Sequence, residues 1–133
     1  MDKLEYIPGD FISVYVGVKK YIVEVIGTEN ENEVLLYQIK FPNGEIQYAD
    51  KDNIVPIPLT PEILEKNGWK NDGYDWYKLP TKRAYLYITK DIITLGEFLV
   101  CVGLDRHNLA SINFVHQLQH IFFSLNINHE MEV

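Results

Sequence analysis

Phe11-Ile12-Ser13-Val14-Tyr15-Val16, Gly17, and then Tyr21-Ile22-Val23-Glu24-Val25-Ile26 closed by Gly27, decide how this chain is read. Both runs are rich in β-branched and aromatic residues, which fit a pleated, half-buried surface, and the glycine between them permits a tight reversal. Past the polar, turn-like Glu29-Asn30-Glu31-Asn32, a third run, Val34 to Phe41, ends at Pro42-Asn43-Gly44, a strong hairpin signal. Glu45-Ile46-Gln47-Tyr48 alternates polar and apolar, and Ala49 to Asn53 suits one helical turn ahead of a last short strand, Ile54-Val55-Pro56-Ile57. Short strands at this spacing, with a single turn before the last, predict an SH3-like small β-barrel over residues 1–58.

At Thr60 the pattern changes. Thr60 is an N-cap residue, Pro61 is favoured at the first helical position and Gly68 is a stop, so a short helix over 61–67 is predicted. Asp72-Gly73 lies between two aromatic-bearing arms, Trp69 to Asp72 and Tyr74 to Lys78, as in a hairpin. Two more strands follow, Ala84 to Ile88 and Glu97 to Val102; 90–96 reads as a loop and 103–111 as a polar connection. Phe114, Leu118, Ile121, Phe122 and Leu125 then recur at the spacing of one apolar helix face, with Asn113 or Ser111 as the cap. That helix should cover the 69–102 sheet, since an antiparallel sheet with one apolar face needs a cover. Residues 127–133 show little pattern and are expected to fray. The expected class is therefore α+β: an N-terminal SH3-like barrel, then a small α+β unit over 59–133 in which an antiparallel sheet lies under a C-terminal amphipathic helix.

Composition narrows the function classes. The 133 residues suit one compact domain or two very small ones, and a 47% hydrophobic share with 17 aromatics (9 Tyr, 6 Phe, 2 Trp) supports a real core, against wholesale disorder. The formal charge of −7 repels phosphate backbones, and the segments 1–58 and 59–133 carry −5 and −2, so nucleic acid is disfavoured as a partner. Local basic pairs at Lys19-Lys20 and Lys82-Arg83 are the only route to it. No stretch nears the roughly 20 apolar residues of a membrane span, and the N-terminus lacks an export pattern; a cytoplasmic protein without a membrane anchor is expected, with a place in a virus particle still open. The single cysteine, Cys101, sits in the apolar run 98–102 and reads as a buried reduced thiol.

Candidate functional residues fall into three groups. His116 and His120, four apart on the terminal helix, share one side and could hold a transition metal, or could simply flank the buried stripe; position 117 is Gln, so there is no HExxH, and neither a metal nor another cofactor is expected. The face formed by His116, Gln117, Gln119 and His120 has no charged residue near it from Ile112 to Asn128. Such a surface is cheap to desolvate, and is either an interface for a protein or a second copy, or a face packed against the barrel. The aromatics Tyr15, Tyr48, Trp69 and Trp76, with Lys19 and Lys20, are candidates for stacking on a nucleotide-like ligand, against core packing and cross-strand pairing. No Gly-rich phosphate loop, GxSxG elbow or Cys-His signature is present, and Asp105-Arg106-His107-Asn108 reads as a solvated connection; no catalytic residue is expected.

Two motifs, Pro56-Ile57-Pro58-Leu59-Thr60-Pro61-Glu62-Ile63-Leu64 with Gly68-Trp69, and Phe114-Val115-His116-Gln117-Leu118-Gln119, together resemble a group of short uncharacterised proteins of Bacteroides-type gut bacteria, their phages and mobile elements. The resemblance runs from about Gly9 to Leu125. His120 stands where that group commonly has Asn, and Asn126-Ile127-Asn128-His129 where it continues Thr-Gly. The resemblance implies a phage or mobile-element accessory protein and implies no reaction. The leading expectation is a non-enzymatic binding protein acting through a protein partner or self-association, and the alternative is a nucleic-acid or nucleotide-binding protein.

Overall fold

The computed structural model describes residues 5–72, 76–81, 85–90, 97–103 and 107–133. Among the described residues, ten strands form two antiparallel sheets, with two short helices, so the class is α+β with strands dominant.

The first sheet contains β1 (Phe11–Val16), β2 (Lys19–Glu31), β3 (Val34–Lys40), β4 (Ile46–Ala49) and β5 (Ile54–Val55), in the order β4-β3-β2-β1-β5. Strands β1 to β4 run as a meander, while β5 returns to pair with β1 through Ser13 opposite Val55. A single 3-10 turn, Lys51–Asn53, precedes β5, and Asp50 caps it by accepting from the amides of Asp52 and Asn53. The sheet ends in β4 on one side and β5 on the other, so among the described strands it is open rather than a closed barrel. Alternation turns Ile12, Val14, Val23, Val25, Tyr37 and Ile39 to one buried face, which Tyr6, Phe41 and Ile54 complete.

Strand β2 extends further than its apolar run predicts. Gly27 does not close it; the strand continues to Glu31, with a register shift between Val25 and Gly27. Glycine at such a bulge weakens local packing, yet the partner β3 supplies hydrogen bonds that carry the polar Glu29 to Glu31 in extended form. The reversal falls instead on Asn32 and Glu33, at φ 51° and 68°.

The second sheet has the order β10-β9-β8-β7-β6: β6 (Lys70–Asn71), β7 (Trp76–Pro80), β8 (Tyr85–Lys90), β9 (Phe98–Val102) and β10 (His107–Ile112). Helix α1 (Pro61–Lys66) starts where predicted, with Thr60 Oγ1 accepting from the amide of Ile63, and ends at Asn67 ahead of Gly68. The arms around Asp72-Gly73 pair as expected, Lys70 with Lys78 and Asn71 with Tyr77. The polar connection expected over 103–111 is overturned, because residues from His107 onward form strand β10 on the edge beside β9. Pairing to an existing edge outweighs the weak β-propensity of His-Asn-Leu-Ala-Ser.

Helix α2 (Val115–Ser124) covers this sheet as its stripe predicts: Val115, Leu118 and Phe122 pack with Leu86, Ile88, Phe98 and Val100. Neither Asn113 nor Ser111 is the cap. Gln117 folds back so that its Oε1 accepts from the amides of Asn113 and Phe114, at 2.8 and 3.1 Å. The tail does not fray. Met131 is buried, Asn67 exchanges two 2.7 Å hydrogen bonds with the backbone of Glu132, and Ile127 N–H donates to the Phe122 carbonyl.

The two buried clusters divide in sequence between Ile54 and Ile57. Among the described residues, no helix is long and apolar enough to cross a membrane.

Candidate functional site

Among the described residues, the densest buried polar group lies where α2 meets the start of β1. Asp10 and Gln119 have no exposed surface and His116 has 4%. The turn Ile7 to Asp10 places the aspartate there, since Asp10 N–H donates to the Ile7 carbonyl while Asp10 Oδ2 accepts from Ile7 N–H at 2.9 Å. The turn is stitched to β2 by Gly9 N–H to the Val25 carbonyl and by Val25 N–H to the Asp10 carbonyl.

Helix spacing brings three side chains of α2 down on this turn. Gln119 Oε1 accepts from Phe11 N–H at 2.9 Å, and its Nε2 donates to the carbonyls of Gly9 and His129, both at 2.8 Å. One amide thus ties together the first sheet, the helix and the tail. His120 Nε2 lies 2.6 Å from Asp10 Oδ2; a carboxylate only accepts, so the ring proton is on Nε2. His116 sits between the rings of Tyr6, at 4.9 Å, Phe114, at 5.9 Å, and His120, at 5.5 Å.

Burial dominates the electrostatics. Desolvation pushes the His116 imidazole down to about 4, against the Asp10 carboxylate, which raises it, and with His120, which lowers it further. His116 is therefore neutral near pH 7. Burial, then Glu5, Tyr37 and Asp10, push the Tyr6 phenol up to about 12. Asp10 Oδ1 and His116 Nδ1 are buried with no hydrogen-bond partner among the described residues. An Asp-His pair can hold and orient a proton, but no hydroxyl or thiol is hydrogen-bonded to either imidazole among the contacts described, and the clefts open elsewhere: one of about 280 Å³ beside Phe11 and Phe41, one of about 570 Å³ between Glu24 and the tail. No group of three or more His, Cys, Asp or Glu among the described residues could share a metal ion.

Of the expected interface face, then, His116 and Gln119 point into the chain, while Gln117, which serves the helix start, and His120 are partly exposed. Of the two readings left open by its uncharged character, packing against the first sheet is the arrangement seen. The stacking candidates part company. Trp69 is buried and stacks on Phe122, ring centroids 6.3 Å apart, with its Nε1 lacking a partner among the described residues. Trp76 meets Tyr87 edge-on at 6.3 Å. Tyr15 and Tyr48 instead share one small depression of the first sheet, about 170 Å³, and each is about half exposed. Lys20 stands opposite Tyr15 in the β1–β2 pairing, and Lys19 is also exposed. A hydrogen bond to the Glu29 carboxylate, with that residue's charge, raises the Tyr48 phenol above its ordinary value.

Tyr74, Lys82, Arg83, Asp105 and Arg106 lie outside the described residues. Cys101 is buried, with its Sγ 3.2 Å from Asn108 Oδ1.

Sequence reasoning missed Asp10 and Tyr6, since nothing near them in the chain hints at a helix more than a hundred residues away. It also missed that the two motifs meet: Leu59 N–H donates to the Asn113 carbonyl, Val115 N–H donates to the Ile57 carbonyl, and Pro58 bridges Phe114. Compared with protein-family models, curated proteins and solved structures, the chain matches none.

Proposed function

We propose that this is a non-enzymatic binding protein acting through contacts with a protein partner or with a second copy of itself. The observation that carries the reading is the β1–β2 hairpin end, where Tyr15 and Val16 are each 49% exposed and Val18 is 98% exposed. Neighbouring apolar side chains left in water beside exposed lysines are the composition of a small recognition patch. The buried polar cluster, by contrast, is spent on joining elements of the chain.

The strand order β4-β3-β2-β1-β5, with a 3-10 turn before the last strand, supports reading residues 1–58 as an SH3-like unit and 59–133 as an α+β unit beneath it. The meeting of Ile57 to Leu59 with Asn113 to Val115 gives the two motifs a shared structural reason to occur together, which is in keeping with a phage or mobile-element accessory protein of the host cytoplasm. Size-exclusion chromatography with light scattering, together with affinity capture from host lysate, tests the function. Self-association, or retention of a partner that a Tyr15→Ser/Val18→Ser variant loses, is the expected result. A strict monomer that retains nothing would sink it.

A second reading is favoured by one observation, the shared depression of Tyr15 and Tyr48 beside Lys20. Rings and an ammonium so placed suit a nucleobase and its phosphate. Salt-sensitive binding to single-stranded or RNA probes, or a thermal shift with nucleotides, would support it, and absence of both removes it.

A further inference from the structure

We propose that two copies of the chain associate by inserting the Val18-Lys19-Lys20 tip of one into an acid-rimmed cleft of the first sheet in the other. The inference rests on the self-association branch of the proposed function and names its contact.

The tip is the reversal between β1 and β2, with Gly17 at φ 65°. Val18 belongs to neither buried cluster, and both lysines are exposed. The cleft, about 320 Å³, has an apolar floor made by Val34, Leu35 and Tyr37. Tyr37 is held from behind by Tyr6, ring centroids 5.3 Å apart and edge-on. The rim carries the carboxylates of Glu5, Glu33, Asp50 and Asp52 against one ammonium, Lys51, and Glu31 stands opposite Val34 in the β2–β3 pairing.

An apolar side chain flanked by two ammonium groups thus matches an apolar floor flanked by carboxylates. The tip does not occupy the cleft of its own chain, since Val18 is 98% exposed. Each copy carries one tip and one cleft, so both contacts form together when the pair closes with two-fold symmetry. At a net charge of −7 most faces of two copies repel, so the basic tip supplies the attraction that selects this pairing.

The test is light scattering and sedimentation of the full chain across concentration, with two charge-reversal variants at exposed positions, Lys19→Glu/Lys20→Glu and Glu33→Lys/Asp52→Lys, each checked for unchanged thermal unfolding. The wild type should dimerise, more weakly at high salt, and each variant alone should associate at least about tenfold more weakly. An equimolar mixture of the two variants should form a heterodimer, since one intact tip and one intact cleft remain. Combining all four reversals in one chain should restore association. A wild type that stays monomeric overturns this contact, while a partner captured from lysate would leave the protein-binding reading standing. A wild type that dimerises equally well with either variant's charges overturns the contact and keeps self-association.

Discussion

Gln119 and Phe11, 108 positions apart in the chain, are joined by a 2.9 Å hydrogen bond from the Phe11 amide to the Gln119 side-chain oxygen. With the Gly9 and His129 carbonyls on its nitrogen, this one amide of α2 saturates three backbone groups of two other segments, the start of β1 and the tail, inside a surface closed to water. Replacing it with Leu, close in size but unable to hydrogen-bond, should lower stability by roughly 2–4 kcal/mol, because each buried backbone group left without a partner costs about 1–3 kcal/mol. Urea unfolding of Gln119→Leu measures this. A loss below half a kcal/mol would mean that the three segments are held together by other means.

Acid should loosen the same junction through His116. Its folded-state value of about 4 lies below the ordinary 6.5, so the unfolded chain takes up a proton first as pH falls. Stability from this group is fully present above pH 6.5 and declines as pH drops toward 4, by about 3 kcal/mol at most. His116→Gln removes that slope while keeping a polar side chain. The stability of wild type and variant should converge between pH 6.5 and 4, and parallel pH profiles would show that burial of this imidazole is not what the protein resists.

Gly9 has two reasons to be glycine. Its φ is 96°, a region that L side chains rarely adopt, and a Cβ there would run into the imidazole of His129. Gly9→Ala should cost roughly 2–4 kcal/mol, combining backbone strain of about 1–2 kcal/mol with the collision. Adding His129→Ala removes the collision but not the strain, so the double variant should recover part of the loss in thermal denaturation. Full recovery would assign the whole effect to the ring, and no recovery would place it all in the backbone.

Deleting the last residues, from Asn128 onward, tests the docked tail. The deletion uncovers Met131's site and removes both Asn67–Glu132 hydrogen bonds and the His129 acceptor of Gln119. A loss of roughly 2–5 kcal/mol is expected, chiefly from the buried methionine and the orphaned polar groups. A truncated chain with unchanged unfolding would mean that the tail lies on the body without supporting it.

Val18, in contrast, should be dispensable for folding. A side chain 98% exposed contributes no burial, so Val18→Ser should change stability by less than about 0.5 kcal/mol while weakening self-association. Matching thermal curves beside a shifted association midpoint would separate the tip's role in recognition from any role in the fold.

Local chemistry alone located much of the architecture. Thr60, Pro61 and Gly68 set the limits of α1 because capping and proline geometry act within a few residues, and the stripe from Phe114 to Leu125 announced α2 because burial of one helix face repeats along the chain. The turn at Pro42-Asn43-Gly44 and the runs flanking Gly17 marked β1 to β4 for the same reason. What the tertiary structure decided is where partners lie far away or are backbone atoms. β10 exists because β9 offers an open edge, although His107 to Ser111 carry little strand signal of their own. The tail is held through the carbonyls of His129 and Glu132 and the amide of Glu132, groups that every residue possesses and no pattern of side chains records. The uncharged face of α2 was visible in the chain, but whether it met water, a partner or the turn at Asp10 depended on contacts spanning about 110 residues, which only the folded protein brings together.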